Sequence, residues 1–279
     1  MSDNNLSPPS HSDEVKVSFP KEHVVLLIMN RPESLNAMCQ TMESDLEILL
    51  SWFEGEPSLW VAIITGHGRA FCAGADLKLL ATQFGSVDQT AHHVWTVNGF
   101  GSLSRRTMSK PIIAAVNGIA FGGGMEIVLN CDLVIASDNA AFALPEVKRG
   151  VVAAQGGIPR IKAAVGHQLA SEMLLLGRTV SAKEAHERFG FVNTVVPKAQ
   201  LLQTAIDWAG RITQNSPDAV QCTKRGLIEA GKHGDVEQAT LAHMQSPESI
   251  RTYHGENIKE GLNAFRDKRK PIWANPAKL

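Results

Sequence analysis

Apolar residues along this chain follow two rhythms. Short, mainly apolar runs at 24–29, 60–65, 112–116 and 132–136, rich in branched side chains and bounded by Gly, Pro, Asn or Asp, have the length of buried strands. Within 38–53 the apolar residues Met42, Leu46, Leu49, Leu50 and Phe53 recur at helical spacing. Residues 15–17 and 24–29, joined through Pro20-Lys21-Glu22, predict a hairpin. Twice, at 60–80 and 112–131, a strand runs into small residues and then a helical start. That repetition predicts one layered α/β core. Further helices are expected at 87–108, 158–165, 170–176, 181–188 and 201–213, with a last short strand over 191–196. From Pro217 onward the pattern is almost wholly helical.

The segment 110–150, KPIIAAVNGIAFGGGMEIVLNCDLVIASDNAAFALPEVKRG, concentrates the candidate chemistry. Gly122, Gly123 and Gly124 lack a Cβ, so a ligand can approach the backbone closely there. Glu126 falls in the first turn of the helix predicted over 125–131, where a carboxylate meets the positive end of the helix dipole. Glu146 emerges from the apolar approach 141–145. Both carboxylates have flanks more apolar than a solvated surface Glu needs. Burial beside a like charge raises at least one pKa, which supplies an acid and a base at neutral pH.

Composition narrows the alternatives. Lys plus Arg number 27 against 28 Asp plus Glu, a formal charge of -1, which leaves no bulk footprint for nucleic acid or an anionic membrane. With 44% hydrophobic and 20% charged residues the chain reads as a soluble globular protein, and no apolar run reaches the roughly 18 residues needed to span a bilayer. Cys39, Cys72, Cys131 and Cys222 are widely spaced and are expected to be buried free thiols. His92 and His93 are adjacent, so they do not share a helix face, and no metal site is expected. No Lys-Ser or Lys-Thr follows Gly124, and no G-x-G-x-x-G follows the 112–116 strand, which removes the two nucleotide-loop readings of the glycines.

Several segments in order resemble the crotonase superfamily, the enoyl-CoA hydratase and isomerase family. They are Asn30-Arg31-Pro32 with Leu35-Asn36-Ala37, then Phe71-Cys72-Ala73-Gly74-Ala75-Asp76-Leu77, then Ala114-Ala115-Val116-Asn117-Gly118 leading into Gly122-Gly123-Gly124-Met125-Glu126, and Pro145-Glu146. The resemblance implies an α/β fold, a crotonase-type spiral of ββα units over residues 15–215. Residues 1–14, polar in composition, are expected to form a disordered tail before it, and the resemblance implies that the helical region over 216–279 builds homotrimers or dimers of trimers. It implies that the N–H groups of Ala75 and Gly123 hold a thioester oxyanion. Glu126 would activate water for attack at Cβ, and Glu146 would protonate Cα. Ala37, Ala73, Asp76, Leu77 and Lys78 match positions lining the adenine and pantetheine channel, and Phe265 and Lys268 match a segment reaching the CoA phosphates.

The implied activity is an enoyl-CoA hydratase or 3-hydroxyacyl-CoA dehydratase, with acyl-CoA as substrate and no cofactor beyond the CoA it carries. An enoyl-CoA isomerase using Glu146 alone, and a non-catalytic acyl-CoA-binding subunit, are the rivals. One departure falls on the acyl pocket. Where the family's β-oxidation hydratases carry Pro-Gly-x-Gly-Gly and then Thr-Gln-Arg, this chain reads Val152-Ala153-Ala154-Gln155-Gly156-Gly157-Ile158-Pro159-Arg160. The terminal Ala277-Lys278-Leu279 is similar to the S-K-L peroxisomal address, which predicts peroxisomal import through its receptor, with the cytosol as the alternative.

Overall fold

The computed structural model describes residues 6–76 and 97–277. Strands β1 (Val15–Lys21) and β2 (Val24–Met29) form the expected hairpin, closed by Glu22 and by His23 at φ 64°. From β2 the sheet continues in parallel through β3 (Val61–Gly66), β5 (Ile112–Val116), β7 (Leu133–Ser137) and β10 (Thr194–Val196). Every residue of β3 and β5 is buried, because both faces of this sheet are covered. Ala62, Ile64, Ala114 and Val116 join the larger core with helix α1 (Gln40–Gly55). On the opposite face Val61, Ile63, Ile113 and Ala115 meet Leu201, Ala205 and Ala209, residues of a helix spanning Leu201–Ile212.

A second sheet of short strands, β4 (Ala70–Cys72), β6 (Ile119–Phe121), β8 (Ala141–Ala143) and β9 (Val180–Ser181), stands beside the first. Three times the chain leaves a long strand and enters this sheet after a tight corner, from β3 to β4, β5 to β6 and β7 to β8. That repeat is the ββ part of each spiral unit. The first two corners are fastened by buried amides. Asn117 accepts the Gly66 N–H and donates to the carbonyls of Gly68 and Ala70, while Asn36 donates to those of His67 and Ala70.

Helices α2 (Gly123–Asn130), α3 (Gly157–Val165), α4 (His167–Leu176) and α5 (Leu201–Ile212) cover the core. Four more follow at the C-terminal side: α6 (Pro217–Lys232), α7 (Val236–Met244), α8 (Pro247–His254) and α9 (Glu256–Arg266). Ser216 and Ser246 cap α6 and α8 ahead of a proline, and Asp235 caps α7. Helix ends at Arg266. A turn at 267–269, with Lys268 at φ 51°, follows, and the remaining chain returns to the core, where Asn257 exchanges two hydrogen bonds with Ala274 and Trp60 donates to Asn275.

Three expectations differ from the structure. In the predicted helix 87–108, the part from residue 97 on is instead a series of turns, with Gly99, Gly101 and Ser102 all at positive φ. His92 and His93 lie outside the described residues. The predicted helix 181–188 is a strand end, one helical turn over Ala182–Glu184 and a π-type turn over Ala185–Phe189. Residues 6–14, expected to be disordered, lie against the core: Leu6 packs on it, and Ser12 bonds the buried Asp45 through both its N–H and its hydroxyl. All four cysteines are free, Cys72 and Cys222 buried and Cys39 and Cys131 half-buried. No helix among the described residues is long and apolar enough to cross a membrane.

Candidate active site

The corner between β6 and α2 brings three glycines against three different neighbours. A Cβ on Gly124 would lie 2.2 Å from the Cys72 carbonyl oxygen, and one on Gly123 would lie 2.5 Å from the Phe100 ring. Gly122, at φ 54°, faces the Glu146 carboxyl, whose Oε1 would be 3.2 Å from a Cβ there. Gly74 comes from the other loop, with its Cβ position 3.5 Å from the Gly123 nitrogen. The two small-residue segments read from sequence are therefore in contact.

Glu126 projects from the first turn of α2 and is only 3% exposed. Its Oε1 accepts the Gly157 N–H at 2.9 Å, and the Gln155 N–H bonds the same carboxylate. Burial pushes its pKa up to about 7, opposed by the Gly157 bond, raised further by the Glu146 carboxyl, and opposed again by the Gln155 bond and the Arg160 guanidinium. A carboxyl tuned there is divided between base and acid forms at neutral pH.

Glu146 stands at the start of the turn after β8, half-buried. Burial raises its pKa too, against the pull of Arg149. Its Oε2 is shielded from water and has no hydrogen-bond partner among the described residues. One acid is thus cradled by backbone donors while the other keeps an unpaired oxygen beside the glycine corner.

Two backbone donors are left open in the same place. Met38 donates to the Gly74 carbonyl and accepts from the Asp76 N–H, so the intervening Ala75 N–H faces away from that pairing. Gly123 opens α2, where a helix N–H has no intrahelical acceptor. Among the described residues no acceptor takes either N–H. A carbonyl oxygen placed between them would meet two fixed dipoles.

The other expected residues divide into three groups. Ala37, Ala73 and Asp76 sit on two loops tied to each other: Ala73 N–H donates to the Leu35 carbonyl, and Arg31 bonds the Ala37 carbonyl while approaching Asp76 at 3.5 Å. Leu77 and Lys78 lie outside the described residues. Phe265, 87% exposed, and Lys268 face solvent at the end of α9 in the single chain. Phe100 and Ser104, which stand beside the glycines, belong to no motif and meet the site only through the fold, while Gly157, read from sequence only as part of the altered acyl-pocket segment, proves to be a donor to Glu126.

The family model described as Enoyl-CoA hydratase/isomerase matches residues 20–276. A mevalonyl-coenzyme A hydratase of Aspergillus fumigatus is 46% identical over 264 residues, covering 94% of this chain and 95% of that protein. A second mevalonyl-coenzyme A hydratase, from Beauveria bassiana, is 43% identical over 274 residues, covering 95% of this chain and 96% of its own. The crystal structure of an enoyl-CoA hydratase from Mycobacterium tuberculosis superposes with a TM-score of 0.85 at 35% identity, covering 94% of this chain and 99% of that one. With its two-sheet core, helical C-terminal region and matched length, the chain has the crotonase fold, is a hydro-lyase, and belongs to the enoyl-CoA hydratase/isomerase family.

Proposed function

We propose that this enzyme adds or removes water across the 2,3 bond of an acyl-CoA thioester, with Glu126 and Glu146 as acid and base and the N–H groups of Ala75 and Gly123 as the oxyanion hole. The observation that carries the reading is the convergence of the buried Glu126 carboxyl and the half-buried Glu146 carboxyl with two unpaired amides at one glycine corner. In hydration, Glu126 takes a proton from water as the oxygen bonds Cβ. The π electrons shift toward the thioester oxygen, which becomes an enolate between the two N–H groups. Glu146 in its acid form then delivers a proton to Cα. One water is added in total, Glu126 is left protonated and Glu146 ionised, and dehydration retraces the path. No cofactor beyond the CoA of the substrate enters these steps.

The similarity to mevalonyl-coenzyme A hydratases supports a mevalonyl-type substrate, a thioester whose Cβ bears both a hydroxyl and a methyl group. The altered loop 152–157 fits an acyl group other than a straight chain. Incubation of the purified enzyme with mevalonyl-CoA, crotonyl-CoA and a 3-enoyl-CoA, followed by mass spectrometry, tests all of this. Water loss from mevalonyl-CoA at the highest kcat/KM is expected. Equal rates on mevalonyl-CoA and crotonyl-CoA would remove the substrate assignment, and bond migration without water exchange would favour the isomerase reading. Glu126→Gln and Glu146→Gln should each lower kcat by about 10²- to 10⁴-fold.

Assembly as a trimer or a dimer of trimers through the C-terminal helices is part of the same proposal, as is CoA contact by Phe265 and Lys268 across subunits; sedimentation of the active enzyme tests it, an active monomer counting against it. Peroxisomal import rests on Ala277-Lys278-Leu279 alone, of which Lys278 and Leu279 lie outside the described residues. A fluorescent fusion with and without the tripeptide tests import: the same diffuse distribution for both would remove that reading.

A further inference from the structure

Ser104 is fully buried in a segment that no motif marks. Its hydroxyl accepts the Phe100 N–H at 2.8 Å and donates to the Gln155 carbonyl at 2.8 Å, which uses one lone pair and the only proton. The two partners lead to opposite walls of the candidate site. Phe100 packs its ring on Gly123, one of the two proposed oxyanion donors. Gln155 opens the strip 155–157 whose N–H groups hold the Glu126 carboxylate. A second route fastens the same strip: Arg160 donates to the Gly156 carbonyl and to Asn130 at the end of α2, and Asn130 donates to the carbonyls of Leu103 and Arg106. The hydroxyl sits where a side chain at residue 99 would stand, since a Cβ added to Gly99 would lie 2.4 Å from it, so the lack of a side chain there leaves room for both of its hydrogen bonds.

We propose that Ser104 is a positioning residue of the hydration site, which sets Glu126 against the oxyanion amides by tying the strip that holds Glu126 to the segment packed on Gly123. The inference rests on the reading of Glu126 as the residue that activates water. It places part of the control of that carboxylate in this chain's departure at 152–157, where the carbonyl of Gln155 is the point of attachment.

Removing the hydroxyl loosens the strip, weakens the Gly157 and Gln155 bonds to the ionised carboxylate and raises its titration midpoint. The charged groups facing Glu126 are Glu146 from the turn after β8 and Arg160 from α3, with Arg105 beyond Arg160. None of them is altered by the substitution. The test uses full-length protein labelled at the Glu side-chain carboxyl carbons, with the Glu126 resonance assigned through Glu126→Gln. In Ser104→Ala its midpoint should rise by about half a pH unit or more. The acid limb of kcat/KM should move with it. Turnover should fall by about 10- to 100-fold while KM changes by less than about threefold. Ser104→Cys, of nearly equal size and a weak donor, should lie between, and it decides the question if Ser104→Ala does not fold. A folded Ser104 variant whose Glu126 midpoint and pH profile match the parent overturns the inference. If the parent enzyme turns over no CoA thioester, the hydration reading fails instead, and the inference fails with it even where the titration shows that Ser104 governs Glu126.

Discussion

The N–H of Gly157 donates to Oε1 of Glu126 at 2.9 Å, so the start of one helix holds a carboxylate rooted in the first turn of another. Two helix N-termini therefore face a single buried acid. Their donors oppose the loss of solvation without cancelling it, which leaves the pKa pushed up to about 7.

This balance has a signature in stability. A raised folded-state pKa means the fold binds the proton more tightly than the unfolded chain does. The resulting stabilisation is complete below the ordinary value of 4.5 and is lost as pH rises through about 7. The shift corresponds to about 3 kcal/mol. In Glu126→Gln that dependence disappears, so the variant should gain stability on the parent between pH 5 and pH 8. Urea unfolding of both proteins at the two pH values checks it; parallel curves would show that the carboxyl does not titrate in this window.

A steric prediction concerns Gly123. A methyl group there would lie 2.5 Å from the Phe100 ring, so Gly123→Ala must push the ring off the oxyanion corner. Overpacking of this kind costs about 1–3 kcal/mol. If the ring is the obstacle, adding Phe100→Ala should restore most of the melting temperature. A double variant as unstable as Gly123→Ala alone would place the strain in the backbone.

Much of this arrangement was legible in the chain, for identifiable reasons. The branched run 112–116 is a strand with the bounds expected, because a fully buried parallel strand needs no polar alternation. Glu126 could be placed in a first helical turn because the glycines before it mark the start. Strands β4, β6 and β8, at three residues each, are too short to show any period. Gly99 and Gly101 break the helical pattern of 87–108 through positive φ, which their apolar neighbours conceal. Ser104 acts on a carbonyl 51 residues away, a relation that local sequence does not carry.

At the C-terminal side, Asp218 is almost fully buried and gathers Arg251 at 3.0 Å, the Asn257 side chain at 2.6 Å and the Ala277 N–H at 3.3 Å. It therefore joins α6 to α8, to α9 and to the returning tail. Asp218→Ala would leave the Arg251 guanidinium buried without its carboxylate, a loss of about 3–5 kcal/mol. Hydrogen exchange should quicken first over 247–277 and leave β3 and β5 protected. Uniform quickening across the chain would mean that this region does not open separately.

Arg31 links the start of the described chain to the expected CoA channel. Its guanidinium lies 3.4 Å from Glu14 and 3.5 Å from Asp76, and it bonds the Ala37 carbonyl. Glu14 in turn accepts from the Cys39 thiol, and its carbonyl accepts the Asn30 N–H. Arg31→Met keeps much of the apolar stem and removes the guanidinium's contacts with Glu14, Asp76 and the Ala37 carbonyl, which loosens the loops that carry Ala37 and Asp76. Neither loop residue touches Glu126 or Glu146 in the hydrogen-bond pattern above, so the chemistry itself should be spared. The expected result is a rise in KM for the CoA thioester of about tenfold with kcat within about threefold, the mark of binding lost equally from ground and transition states. Steady-state kinetics across a range of thioester concentrations measure both constants. A fall in kcat at unchanged KM would instead mean that Arg31 acts through the neighbouring Ala75 amide, whose loop it also holds.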